Sequence, residues 1–341
     1  EDSVITDKSE REFFSSDVYA SGITCSAVIS PKNNQLLSQA VTLIDKADYA
    51  IVGRGGGMSY TKGYLPTRED TIVIDLSSLN KIIEVNTNDM YITVQAGVTW
   101  KQIYDKLKPT GYRLPFFGTF SGIRATVGGG LSQGALFFGT ARYGQAADIV
   151  LGIEVIASDG SIIKTGQGAF QNAKPFYRTY GPDLTGLFLH DGGSLGIKTQ
   201  ATLRLIKTPN ETEYATFVFN GINDAAHALS EVARSGAAEE AYVFDPESTQ
   251  KNLSTLNIKE ELKTIAGVLG NQSSVKKGIV EATKLIVSGK LELLVILNVI
   301  LLTSTVSDET KPPKIPKGIL SIGIGIVSNW VIVCCFVVPF I

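Results

Sequence analysis

The sequence predicts an α+β protein assembled from two unlike parts, and three observations predict it. Short β-rich runs outnumber amphipathic helical stretches through the first 208 residues. Of the 34 glycines, 25 stand within residues 1–200 and only 9 in the remaining 141. After Pro209 the pattern changes to a single β-α-β unit, followed by an apolar tail. A length of 341 residues accommodates two domains of ordinary size.

Taken in order, residues 1–33 are polar with little periodicity, and 1–29 are expected to be a polar leader without an apolar signal segment. Residues 34–47 place Leu36, Leu37, Ala40, Leu43 and Ile44 on one helical face. Residues 49–52 read as a strand that enters Gly53-Arg54-Gly55-Gly56-Gly57-Met58-Ser59. Further strands are expected at 71–76, 81–85 and 91–95, and Thr99 caps a helix that runs to Leu107. Strands at 149–157 and 161–165 flank Ser158-Asp159-Gly160, a strong hairpin signal. A short helix over 183–189 and a strand over 198–207 complete the first part. Beyond Pro209 come a strand at 215–220, a helix at 224–235 and a strand at 240–244, then a charged helical stretch at 251–290.

Composition removes several function classes. The 31 basic residues are balanced by 33 acidic ones, so charge gives no reason to expect nucleic acid as a partner. Two histidines, His190 and His227, exclude a site of several His ligands, and no metal site is expected. Three cysteines, two of them adjacent at Cys334 and Cys335, are too few for a disulfide framework.

The glycines carry the chemistry. Without a Cβ, successive backbone N–H groups converge on an anion, so the 53–59 segment reads as a phosphate cradle or as a plain glycine-rich turn. It is not a P-loop, because Met58-Ser59 stands where Lys-Ser/Thr is required. Nor is it a Rossmann fingerprint: residues 60–66 contain Gly63 and Pro66 and lack a helical period. A second cluster, residues 115–144, holds eight glycines in thirty residues without being hydrophilic. Such backbone suits a flat, extended ligand, with Ser121, Thr126 and Ser132 adding hydroxyls. A third cluster, Gly192-Gly193-Ser194-Leu195-Gly196-Ile197, precedes a strand. Three separated loops are more than one phosphate needs; a long cofactor with a pyrophosphate and two ring systems uses all of them.

These residues carry a resemblance. The motifs R-G-G-G-x-S (54–59), A-T-V-G-G-G (125–130), R-Y-G (142–144), E-V-x-x-x-D-G (154–160), S-L-G-I (194–197) and T-x-A-T-L-R-L (199–205) occur in the order of the vanillyl-alcohol oxidase / p-cresol methylhydroxylase family. Residues 30–208 resemble its PCMH-type FAD-binding domain, and within the family are most similar to FAD-linked D-lactate and glycolate dehydrogenases. The resemblance implies a two-subdomain FAD-binding domain, then a partial α/β cap over 209–290 that is shorter than the family's, and a hydrophobic tail over 291–341. It implies FAD as cofactor, with Arg54, Gly55, Gly56, Gly57, Met58 and Ser59 at the pyrophosphate. Pro115, Gly118, Thr119, Ser121, Thr126, Gly128, Gly129 and Ser132 would line the ribityl chain and flavin, and Ser194, Gly196 and Ile197 another part of the cofactor. Some relatives tether the flavin through a histidine where Met58 stands; a thioether makes no such bond, so FAD is expected to be non-covalent.

The implied reaction is oxidation of a 2-hydroxyacid such as D-lactate or glycolate by hydride transfer, with an unidentified electron acceptor. The rivals are an alcohol or sugar-lactone oxidase on the same fold, and a catalytically incomplete, membrane-tethered FAD-binding protein. A carboxylate substrate needs a cation, for which Arg113, Arg124 and Arg142 are candidates. No base is assigned: His190 precedes the third loop and is placed near the cofactor, and His227 is expected on a helix surface. The uncharged run 318–341 is long enough to span a bilayer and is read either as an anchor or as a non-native continuation. The expected location is accordingly cytoplasmic or membrane-associated.

Overall fold

The computed structural model describes residues 4–119, 121–210, 212–247 and 330–337. The chain divides into two units, Glu1–Thr208 and Pro209–Ile341.

The first unit is built on two sheets. In the smaller, β1 (Val4–Ile5), β2 (Ala27–Ile29), β3 (Ala50–Arg54) and β4 (Thr71–Asp75) lie in the order β1-β2-β4-β3. The β2–β4 and β4–β3 pairs are parallel, and β4 is buried along its whole length. A parallel strand covered on both faces needs an unbroken apolar run, which Thr71-Ile72-Val73-Ile74 supplies. One face, with Ile72 and Ile74, packs on Leu37, Val41 and Ile44 of α2 (Asn34–Lys46), whose N-cap Asn33 accepts from the Leu36 N–H. The other face, with Val73, packs on Cys25, Val28, Ile5 and Phe14.

That second face corrects the polar-leader expectation. Residues 4–29 carry β1, α1 (Lys8–Phe14, capped by Asp7) and β2. Their few apolar side chains are the ones that cover Val73, and so few of them show no period in the sequence.

The larger sheet is antiparallel. It comprises β5 (Ile82–Asn86), β6 (Tyr91–Gln95), β8 (Val150–Ile156), β9 (Ile162–Lys164) and β10 (Ile197–Arg204), ordered β5-β6-β10-β8-β9. β7 (Tyr112–Arg113) pairs with β11 (Ile206–Lys207). Its core gathers Ile92, Val94, Trp100, Ile103, Leu107, Phe116, Val127 and Leu131. Trp100, Ile103 and Leu107 come from α3 (Trp100–Leu107), closed by a full capping box between Thr99 and Gln102.

Val127 and Leu131 come from α4 (Val127–Gln133), a helix inside the second glycine cluster that propensity alone argues against. Packing overrides propensity here. A Cβ on Gly128 would sit 2.7 Å from the Ala96 methyl, and one on Gly130 would sit 2.8 Å from the Trp100 ring. Only glycine lets this helix press so closely on the sheet. Two one-turn helices, α5 (Thr140–Tyr143) and α6 (Leu184–Leu187), complete the unit.

In the second unit, α7 (Ile222–Ser235) packs Ala225, Leu229 and Val232 against Phe219, Ala241 and Val243. Phe219 ends β12 (Thr212–Phe219), and the other two belong to β13 (Ala238–Phe244). These strands flank β14 (Trp330–Val337), which is antiparallel to both, so the β-α-β unit is split by an inserted strand. The run 318–341, read either as a membrane anchor or as a non-native continuation, is a strand and not a helix at the eight residues described there. Trp-Val-Ile-Val-Cys-Cys-Phe-Val is β-branched and aromatic, and a central strand takes the same unbroken apolarity that a bilayer span does. Among the described residues no helix is long and apolar enough to cross a membrane. The helix expected at 251–290 lies outside the described residues.

Candidate cofactor site

β3 delivers the first glycine loop. The Arg54 carbonyl accepts from the Leu76 N–H at 2.9 Å, after which the chain leaves the sheet without forming a helix. Gly57 takes φ +67°, a left-handed turn that glycine adopts without strain. Opposite, the 121–126 segment turns back on itself (Ala125 N–H to Ser121 C=O, 2.8 Å) and hands the chain to α4 at its N-cap Thr126.

The two segments nearly touch. A Cβ on Gly56 would overlap the Arg124 carbonyl oxygen and lie 2.7 Å from its carbon, and a Cβ on Gly55 would overlap the Thr126 hydroxyl. The loop therefore presents bare backbone to the space beside it.

That space is a cavity of about 420 Å³, within the range of small-molecule and cofactor sites. Gly55, Gly56, Gly57, Met58 and Ser59 form one wall. Thr119, Ser121, Thr126, Gly128, Gly129 and Ser132 form another, and Gly196 and Ile197 close a third side. Three segments far apart in sequence thus meet around one volume.

The other site candidates stand elsewhere. Gly118 packs against the Trp100 ring and the Pro115 carbonyl against Gly139, and neither Pro115 nor Gly118 lines the cavity. Ser194 is exposed, its N–H donating to the Asp191 carbonyl at 3.0 Å. Arg113 and Arg142 both lie over the Tyr143 ring, at 6.0 and 5.5 Å from its centroid, and neither lines the cavity. Arg124 serves through its carbonyl at Gly56. His190, at φ +59°, donates its N–H to the Leu131 carbonyl and sets its ring against Gly134, behind the wall. His227 is on α7, in the second unit.

Arg54 also stands behind the wall, and its setting is unusual. Its guanidinium is buried among three rings, at 5.1 Å from Phe13, 4.9 Å from Phe14 and 5.6 Å from Tyr64. It makes no ion pair among the described residues, and its Nε has no hydrogen-bond partner there. Burial pulls the group below the ordinary arginine range and, to match, raises the Tyr64 hydroxyl. A buried cation held by rings and without an ion pair, in contact with the turn at Gly57, makes the loop electropositive. The cradle therefore fits a diphosphate.

Residues 25–166 match the family model of the FAD binding domain. This segment is an FAD binding domain. The match agrees with the ordered motifs, and the structural neighbours agree with the fold. Alkyldihydroxyacetonephosphate synthase superposes with a TM-score of 0.66 at 17% identity, covering 98% of this chain and 54% of that one. Among curated sequences, the mitochondrial D-lactate dehydrogenase [cytochrome] 1 of Saccharomyces cerevisiae is 31% identical over 211 residues, 61% of this chain and 34% of that protein. Glycolate oxidase subunit GlcD of Bacillus subtilis is 30% identical over 206 residues, 60% of this chain and 42% of that protein. The chain thus spans between about a third and two fifths of the length of these relatives.

Some of the cavity residues carry no motif. Tyr60, Thr61, Tyr64, Gln133, Phe137 and Lys198 line it as well. Thr61 donates to the Gln133 side-chain oxygen at 3.0 Å, tying the first glycine loop to the end of α4. None of these residues carries a signal in the sequence.

Proposed function

We propose that this chain contains the flavin-binding part of an FAD-dependent oxidoreductase that oxidises a 2-hydroxyacid such as D-lactate or glycolate. The observation that carries the proposal is the convergence of the three glycine segments on one cavity, backed by a buried arginine that makes no ion pair among the described residues. The names of the sequence relatives supply the substrate class.

Bound FAD supplies the acceptor for a hydride from the substrate carbon. In this reading the amides of Gly55 to Ser59 hold the pyrophosphate. Thr119, Ser121, Thr126, Gly128, Gly129 and Ser132 orient the ribityl chain and ring, with Pro115 and Gly118 supporting them from behind. Gly196 and Ile197, at the end of the loop that carries Ser194, close over the cofactor. Met58 lines the cavity in place of a nucleophilic side chain, which makes the attachment non-covalent. For the substrate carboxylate the reading takes Arg113 and Arg142, whose guanidinium groups converge on Tyr143. The FAD domain spans 30–208, and the 209–290 segment opens a substrate-side domain. The electron acceptor is a separate partner.

The test is reconstitution. Purified protein incubated with FAD acquires flavin absorbance, and anaerobic D-lactate or glycolate bleaches it. Absence of any bound flavin refutes the reading. Flavin that binds but resists bleaching by every small hydroxyacid and alcohol makes the chain a flavin-binding protein without turnover.

A further inference from the structure

Lys198 is the second residue of β10 and lies on the cavity wall. Its Nζ is 2.6 Å from Asp191 Oδ1, and both side chains are only 3% exposed. Burying such a pair forfeits hydration that a single Coulombic contact does not restore, and two well-packed apolar side chains in place of both partners are often no less stable. A lysine ammonium has three donors. Asp191 takes one of them, and no other acceptor for Lys198 is found among the described residues.

Asp191 is itself pinned. Its carboxylate accepts from the Gly193 N–H at 2.9 Å and the Leu195 N–H at 3.3 Å, inside a loop where Gly192 and Gly193 both take positive φ. The loop therefore fixes the carboxylate, and the carboxylate fixes the ammonium of a residue that lines the cavity. Burial pulls Lys198 below the ordinary lysine range and Asp191 opposes that pull. A second anion on the cavity side opposes it further. The pyrophosphate is the anionic group of FAD.

We propose that Lys198 is a cofactor-binding residue, positioned by Asp191, whose ammonium donates to the pyrophosphate of the dinucleotide in the cavity. The proposal rests on the FAD reading above.

The test measures binding to the full-chain apoprotein by quenching of flavin fluorescence. FAD is compared with riboflavin, which shares the ring and ribityl chain and lacks the phosphates. In Lys198→Met, FAD affinity falls about ten- to hundredfold, the range of a hydrogen bond to a charged group, and riboflavin affinity stays within about threefold. The thermal midpoint of that apoprotein falls, because Asp191 is left buried without its cation, and the riboflavin comparison separates this cost from the selective loss of FAD binding. Lys198→Arg keeps the charge and recovers FAD binding toward wild type. Lys198→Gln is made alongside and repeats the selective loss, so the comparison does not depend on one variant's folding. Equal weakening of FAD and riboflavin marks a purely structural lysine and overturns the proposal, as does unchanged FAD affinity in Lys198→Met and Lys198→Gln. A wild-type protein that binds neither ligand removes the FAD reading, and this proposal with it; wild-type binding with indifferent variants removes this proposal alone.

Discussion

Gly56→Ala is the sharpest perturbation the site offers. The added methyl has no ordinary position to occupy: it would lie 2.7 Å from the Arg124 carbonyl carbon, 0.7 Å inside the 3.4 Å at which ordinary contact begins, and it overlaps the carbonyl oxygen more deeply. Both obstructing atoms are backbone, so no rotamer change relieves them. Because the oxygen is the nearer obstacle, the first glycine loop and the 124–126 segment must move apart by about an ångström or more.

Overpacking of this kind costs about 1–3 kcal/mol of stability, well inside the ~5–15 kcal/mol of a typical domain, so the variant folds. The cost to binding is larger. A loop displaced this far loses about two amide hydrogen bonds to an anion, each worth about 1.5–3 kcal/mol, and FAD affinity falls at least about a hundredfold. Gly53→Ala is the internal control. Gly53 also lines the cavity, yet the nearest atom to its Cβ is Leu76 Cδ1, at 3.9 Å, so its affinity stays within about threefold. Titration of apoprotein with FAD, followed by fluorescence, reads both. Equal FAD affinity in Gly56→Ala and Gly53→Ala refutes the argument that close approach of two backbones builds the cradle.

Three further outcomes follow from the same structure. Arg54→Leu removes the cation caged by Phe13, Phe14 and Tyr64; FAD binding weakens about tenfold or more, and isothermal titration that finds no loss would show that the cation does not serve the cofactor. Val333→Pro deletes an N–H in the middle of β14, a strand paired on both sides, at a cost of about 3 kcal/mol or more; amide exchange then accelerates across β12 and β13, and unchanged protection there argues against the strand. Acid denaturation of the reconstituted protein releases all of its flavin to the supernatant, since Met58 offers no nucleophile; flavin that stays with the precipitate contradicts non-covalent attachment.

Much of the first unit was legible because its signals are local. The hairpin at Asp159-Gly160 and the Thr99 cap each act within four residues, and both stand where the pattern puts them, with Gly160 at φ +85°. The glycine segments were legible for a different reason. A backbone that must approach another backbone or a ligand tolerates only glycine, and that requirement writes itself into the residue type. Local pattern runs out at α4. The same three glycines that signal close approach also argue against a helix, and only Ala96 and Trp100, about thirty residues earlier, show why the helix forms.

What stayed illegible depends on pairs. The 4–29 segment looks like a leader until Val73 is placed beneath Phe14, because two or three apolar residues suffice to cover one strand and make no periodicity. β14 could not be told from a membrane segment, since a central strand and a bilayer span ask for the same residues, and length separates them only when the boundaries are visible. Arg54 shows the consequence for function. Its motif places it at the pyrophosphate, yet the side chain turns away from the cavity and is held by rings from a helix forty residues upstream. Its positive charge acts on the loop from behind, through Gly57, so the site depends on a segment that no glycine motif marks. A cradle made of backbone amides has fixed geometry and only partial charges, and the full charge has to be supplied by residues outside it. Arg54, behind the first glycine loop, and Lys198, which lines the cavity, are the two buried cations among the described residues.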